Sequence, residues 1–344
     1  MTDLAIVRMA LACPVGLRAD TALAALRAGV TRFSALDDDV RVARLSCIAP
    51  TSTRLDRMVA LVRYALAGAL AEPVAPYRAS LPVFLALPEP GSAAPFDEAS
   101  LLGAIQALVS TATGAQAVLA DAAVHRSGRA GVFAAIRQAA VALADERIRW
   151  ALVGAVDSLV DPASVENLAA RGLLLGPQNL DGRIPGEACT FFLVTRPGVI
   201  DRGDVHATIS RVVNDVDPAC FAEFLAGKAI NRAAGLTRVL RDISRAHLGR
   251  FGAVVSAQPG ESFWGREFAY AYLRNIASMP EPLRIVACGS DLGDAGAAAG
   301  GAALARGIAE LKSTARSGTP ACSSVLVYAG SDQGALGGCT LLPG

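Results

Sequence analysis

Ala151-Leu152-Val153-Gly154-Ala155-Val156-Asp157-Ser158 and Val325-Leu326-Val327-Tyr328-Ala329-Gly330-Ser331-Asp332 are two copies of one pattern, an apolar run with a polar end. A strand with one wet face alternates; unbroken runs like these read as strands covered on both faces. Their surroundings are duplicated too. Upstream, a glycine-bearing turn (Arg126 to Gly131; Leu292 to Gly296) leads into an Ala/Gly-rich helix. Downstream comes a Cys-Thr-apolar stretch, Ala188-Cys189-Thr190-Phe191-Phe192 and Gly338-Cys339-Thr340-Leu341-Leu342. Asp121 to Val194 and Asp291 to Leu342 are therefore built on one plan, and two copies mean two similar halves rather than an array.

The two repeat helices, Ala130 to Ala144 and Ala295 to Ala309, carry small or apolar residues around nearly their whole circumference. A surface helix keeps a polar stripe, so both are predicted to be buried on several sides and to pack closely. Further strands are predicted at Ala5 to Ala12, Leu81 to Leu87, Gln116 to Asp121, Phe191 to Thr195, Ala253 to Ala257 and Leu283 to Ala287. Further helices are predicted at Thr21 to Ala28, Arg54 to Leu70, Leu101 to Val109, Asn231 to Arg245 and Gly265 to Asn275. Loops fall at Pro73 to Pro76, Pro88 to Pro95 and Gly176 to Gly182. The architecture implied is α/β, with two sheets and a helix pair between them, as one unit of two halves, 1–200 and 201–344.

Composition narrows the function classes. With 53% hydrophobic and 18% charged residues, 344 residues can bury a large core. Net charge is +1 without a basic stripe, which argues against nucleic acid as a partner. The seven cysteines are scattered and form no Cys-x-x-Cys pair, so a reducing, cytoplasmic setting without a metal or other cofactor is expected. Asp3 and Arg8 make the first apolar stretch resemble a strand more than a signal peptide, and no run is long enough to span a bilayer.

Six stretches carry a family resemblance. Val153 to Ser158, the loop Asn179-Leu180-Asp181-Gly182 and Ile184-Pro185-Gly186-Glu187-Ala188 resemble the middle of a β-ketoacyl-acyl carrier protein synthase. Cys13-Pro14-Val15-Gly16 followed by Ala24 to Gly29 resembles its opening, and Gly293-Asp294-Ala295-Gly296-Ala297-Ala298-Ala299-Gly300 its second-half Gly-His-x-x-Ala-Ala-Ala-Gly motif. The resemblance runs in order over most of the chain and is weakest at Tyr77 to Ala115 and Asp201 to Lys228. It implies the thiolase fold, five layers α-β-α-β-α in two pseudo-symmetric halves.

The resemblance also implies a catalytic cysteine at the start of the first buried helix and two histidines in the second half. A thiolate there gains from the positive end of the helix dipole, and imidazoles stabilise developing negative charge. The corresponding positions fall near Arg129, Pro259 and Asp294. Proline has no such donor and an ionised carboxylate only accepts, so the family's condensation is not expected. His125, just before the first buried helix, and Cys288, at a strand end, are the remaining candidates for altered chemistry. His206 and His247 read as a strand-edge and a helix-end residue, and Cys189 and Cys339 as packing. Asp294 precedes a helix, where aspartate is a favoured cap. A cation at a helix start is unfavourable unless an acid offsets it, so Arg126 or Arg129 is expected to pair with Asp294 or Glu261. Glu187 and Asp157 read as structural.

Candidate ligand-binding residues are thus His125, Arg126, Arg129, Glu261 and Asp294. The leading expectation is a catalytically degenerate ketosynthase-like protein that acts by association, as an adaptor or accessory subunit. The alternatives are a chain-length-factor-like partner of an active ketosynthase, and an acyl-thioester acyltransferase with altered residues. The resemblance places a homodimer or heterodimer contact at the strand near Gln116 to Asp121, and opens an acyl carrier protein or a secretion effector as partner. The chain is shorter than typical condensing enzymes, which points to trimmed loops and a closed or shallow tunnel.

Overall fold

The computed structural model describes residues 3–36, 40–69, 80–245, 247–312 and 322–344. The Pro73 to Pro76 loop lies outside them. The strands of the first half are β1 (Leu4–Ala12), β2 (Phe33–Ala35), β3 (Arg41–Ala43), β4 (Ser80–Ala86), β5 (Gln116–Val118), β6 (Val124–His125), β7 (Ala151–Ser158) and β8 (Glu187–Thr195). Those of the second are β9 (Ala207–Val216), β10 (Ala253–Ser256), β11 (Ile285–Ala287), β12 (Val325–Gly330) and β13 (Ala335–Leu342). The helices are α1 (Ala19–Arg27), α2 (Arg54–Ala69), α3 (Glu98–Thr113), α4 (Gly131–Ala142), α5 (Pro162–Ala170), α6 (Phe221–Leu225), α7 (Ala234–Ser244), α8 (Ser262–Arg274), α9 (Gly289–Leu292) and α10 (Ala298–Leu311).

Strand order is β11-β10-β12-β13-β9-β1-β8-β7-β4-β5, a palindrome of two halves in which β9 answers β1, β13 answers β8 and β12 answers β7. The duplicated strands occupy equivalent places: Cys189 stands opposite Val156 and Cys339 opposite Val327. The two predicted sheets are continuous, because Leu4, Ala5 and Ile6 of β1 pair antiparallel with Ile209, Thr208 and Ala207 of β9. That junction was hidden in the sequence because β9 mixes polar and apolar residues and its register breaks beside Arg211, whose φ is 46°.

Five layers follow. α2 and α3 cover the outside of the first half-sheet with Met58, Leu61, Val62, Leu101 and Ile105, which pack with Leu85, Leu152 and Phe191. α7 and α8 cover the second with Leu236, Leu240, Ile243 and Phe268, against Val254, Leu326 and Tyr328. Between the half-sheets lie α4 and α10, whose Val132, Phe133, Ile136, Leu304 and Ile308 share one core with both. All fourteen residues of α10 are buried, as all-round small and apolar composition requires.

The predicted strand at Gln116 to Asp121 is shorter than expected. It ends at Val118, and Asp121–Ala123 turn as a 3-10 helix. β5 stands at one end of the sheet and, among the described residues, pairs only with β4.

Close approach of α10 to α4 depends on glycine. A Cβ on Gly300 would lie 2.1 Å from the carbonyl oxygen of Arg129, which is backbone and cannot swing away. Gly103, on α3, has open space around it. Gly300→Ala should therefore destabilise the fold by about 1–3 kcal/mol, whereas Gly103→Ala should stabilise it by about 0.5–1 kcal/mol. Urea denaturation of both variants checks the opposite signs.

Candidate functional site

Arg129 sits in the 3-10 turn Gly128–Ala130 that leads into α4, and only 3% of it is exposed. Its Nε donates to the carbonyl of Gly330 at 2.8 Å, Nη1 to Asp294 Oδ2 at 2.9 Å, and Nη2 to Asp332 Oδ1. The guanidinium also lies 4.9 Å from the ring centroid of Trp264. The unfavourable cation at a helix start is thus offset by acids from the second half. Burial opposes the charge, but Asp294 and Asp332 outweigh it and hold the pKa of Arg129 above its ordinary value.

Arg183 supplies a second buried cation. It donates to Asp294 Oδ2 at 2.8 Å, to Asp332 Oδ2 at 3.0 Å and to Glu261 Oε1. Phe221 lies under its guanidinium, 5.3 Å to the centroid. Glu261 accepts from Trp264 Nε1 at 3.1 Å. Glu89 accepts from the backbone N–H of Asp332 at 2.9 Å and of Gln333 at 3.1 Å. Burial raises the pKa of Asp332, but Arg183 and Arg129 reverse this and hold it well below the carboxylate range. Burial pushes Glu89 and Glu261 up, with Asp332 adding to both.

Two more buried pairs brace the surroundings. Arg54 reaches Asp157 at 2.8 Å, and Asp157 Oδ2 accepts from the N–H of Ala297 at 2.9 Å. The turn before α10 can approach that carboxylate because residue 296 is glycine: its φ is +51°, and a Cβ there would lie 2.0 Å from Asp157 Oδ2. Arg57 holds Glu187 at 2.7 Å, and Glu187 also accepts from Leu45 N and Ser158 Oγ. Only about 10 Å³ of cavity remains among Glu89, Arg129, Asp157, Arg183, Asp294 and Asp332, room for about one water and far too little for an acyl chain.

The other sequence candidates do not converge here. Arg126 pairs outward with Glu98 at 2.5 Å and Asp121 at 2.6 Å, not with Asp294 or Glu261. His125 faces α4, its Nε2 2.7 Å from Gln138 Oε1, and burial lowers its pKa. Pro259 lines a neighbouring open cavity of about 430 Å³ with Phe33, Leu180 and Ser290, which Asp294 borders from its other side. Cys288 is buried, which pushes its thiol up to about 12 and makes it a poor nucleophile. His247 stacks on Phe251, and His206 meets Lys312. Asp294 does not cap α10 itself; it accepts from Gly296 N at 3.0 Å, in the turn before the helix. Among the described residues no group of acidic, histidine or cysteine side chains could hold a metal ion.

Arg183, Asp332 and Glu89 were missed as site residues. Asp332 ends the quoted repeat strand, whereas Arg183 falls between the quoted Asn179 to Gly182 and Ile184 to Ala188 stretches. An unmatched Arg129 and Asp294 were the available signal that more charges must gather.

The comparisons with known structures bear on the architecture. The ishigamide ketosynthase/chain length factor superposes with a TM-score of 0.71 at 19% identity, over 100% of both chains. The Streptomyces albus JA3453 oxazolomycin ketosynthase domain gives 0.72 at 16%, over 99% of this chain and 76% of that one. A chain of a type II PKS acyl-carrier protein in complex with its ketosynthase bound to the hexaketide gives 0.80 at 11%, over 100% of both. This chain has the thiolase fold. No family model matches its sequence, and no curated protein does. Identities this low carry architecture and not chemistry. Within the thiolase fold, Arg129 opens the first central helix and Asp294 precedes the second, so the charge network spans their facing ends.

Glu267 of α8, 4% exposed, reports on this interior. Burial, and next Asp217, push its pKa from 4.5 up to about 8, with Arg129 opposing. Its folded-state pKa lies above the unfolded one, so its stabilising contribution is complete below about pH 4.5 and is lost as pH rises through 8. Glu267→Gln should therefore match the wild type near pH 4.5 and melt higher than it at pH 8.5. Melting curves across that range check the sign.

Proposed function

We propose that this chain is a non-catalytic ketosynthase-like subunit that works by association, and that its partner is an active β-ketoacyl synthase, in the manner of a chain-length factor. The observation that carries the proposal is the closed network of Arg129, Arg183, Glu261, Asp294 and Asp332, with about 10 Å³ of free space where the family resemblance places an acyl-bearing cysteine. A guanidinium is not a nucleophile at any accessible pH, and its hydrogen-bond donors here are held by carboxylates of the same chain. The structural likeness to a ketosynthase/chain length factor over the full length of both chains supports this partner over a secretion effector. An acyl carrier protein enters through the ketosynthase rather than by loading this chain. An altered acyltransferase is less well supported, because neither His125 nor Cys288 lines the cavities beside Arg129 and Asp294, and burial holds Cys288 as a thiol.

Incubation with radiolabelled acyl and malonyl thioesters, read by intact-protein mass, should give neither a covalent adduct nor turnover. An adduct on any cysteine sinks the proposal.

The edge strand β5 is the surface through which a second subunit continues the sheet. Among the described residues its outer backbone edge is unpaired beside Val118, which is 45% exposed. Light scattering should find an assembly of the 35.2 kDa chain, with itself or with a co-expressed ketosynthase, and Val118→Asp should reduce it to 35.2 kDa. An assembly untouched by that change places the interface elsewhere.

A further inference from the structure

A further cavity, of about 400 Å³, opens at the other end of α10. Its polar lining is Arg8, Arg18, Asp20, Arg27, His206 and Lys312, and its apolar wall includes Met9, Leu23 and Ile308. It shares no residue with the cavity around Arg129. The fourteen residues of α10 separate the two by roughly 20 Å at 1.5 Å per residue.

Its charge is unbalanced. Asp20 is the one carboxylate among four cationic side chains, and it takes only Arg18, at 3.4 Å and with both groups largely exposed. Arg8, Arg27 and Lys312 have no carboxylate partner among the described residues. The helix dipole accounts for Arg27 and Lys312, which lie at the carboxyl ends of α1 and α10. It does not account for Arg8.

Arg8 is placed by a bulge in β1. The register with β8 passes from Ile6 opposite Val194 directly to Arg8 opposite Leu193, leaving one residue extra. Arg8 and Met9, which pair with Leu193 and Phe192 just after this bulge, both line the cavity. The counterpart strand β9 is also bulged and carries Arg211 there, but its Nε is used on the carbonyl of Asp242 at 2.9 Å. Among the described residues Arg8 donates only to the carbonyl of its neighbour Val7, at 3.1 Å. His206, kept neutral by burial and by Lys312 and Arg8, accepts from Lys312 at Nδ1 and so carries its ring proton on Nε2.

We propose that this cavity binds a small phosphate monoester, its head held by Arg8, Arg27 and Lys312 and its short apolar portion laid against Met9, Leu23 and Ile308. A phosphate dianion answers several cations arriving from different elements, and guanidinium forks suit its three terminal oxygens; a carboxylate carries less charge and only two oxygens.

Isothermal titration of the full chain with hexyl phosphate tests this, with hexanoate as the comparator at the same salt concentration. Hexyl phosphate should bind one to one and at least about tenfold tighter than hexanoate. Arg8→Gln and Lys312→Gln should each weaken it at least about tenfold without moving the melting temperature. Arg27→Gln, at an exposed helix position, gives the same readout where Arg8→Gln fails to fold. No binding at millimolar hexyl phosphate, equal affinity for hexanoate, or wild-type affinity in the folded variants overturns the proposal.

Discussion

A guanidinium cannot shed its charge inside a protein, so two of them buried at the centre of a fold force carboxylates to gather around them. Here the cations are Arg129 and Arg183, and the acids that bond them, Glu261, Asp294 and Asp332, all come from the second half of the chain. The contact between the halves is therefore ionic at its middle and apolar around it. Its hydrogen bonds are fixed in direction and its partners are specified one by one, whereas the small residues of α4 and α10 supply closeness without specificity. A buried pair of this kind adds little net stability over an apolar substitute, but removing one partner strands the others.

That asymmetry bears on function. Side chains that must all be present fill this centre and leave about 10 Å³ among them, too little for an acyl chain. The same pocket walls remain braced by Arg54 with Asp157 and by Arg57 with Glu187, so the framework persists around a filled centre. The proposed accessory role draws on the outer surfaces instead, where β5, among the described residues, pairs on one side only.

Much of the fold could be read from pattern. The duplicated strands became β7 and β12, the all-round apolar helices became α4 and α10, and most remaining elements were placed within a few residues. β9 escaped because a strand at the junction of two half-sheets has mixed exposure and a bulge, and so shows neither alternation nor an apolar run. α5, with its Asp161 cap and Pro162, carried a start signal that was not used. The site was legible in part. Arg129 demanded an acid and Asp294 supplied it, but Arg183 and Asp332 are brought together across 149 positions by tertiary structure alone. Arg126 looked equivalent to Arg129 in the sequence, and only the turn between them sends one outward and the other in.

The measurement closest to the central claim is a double-mutant cycle on Arg129→Met and Asp294→Asn, with unfolding free energies from urea titration. If these groups belong to one closed network, Arg129→Met alone should cost about 3–5 kcal/mol, and the pair should depart from additivity by about 1–3 kcal/mol. A small loss for Arg129→Met, or single effects that simply add to within about 0.5 kcal/mol, would contradict the account.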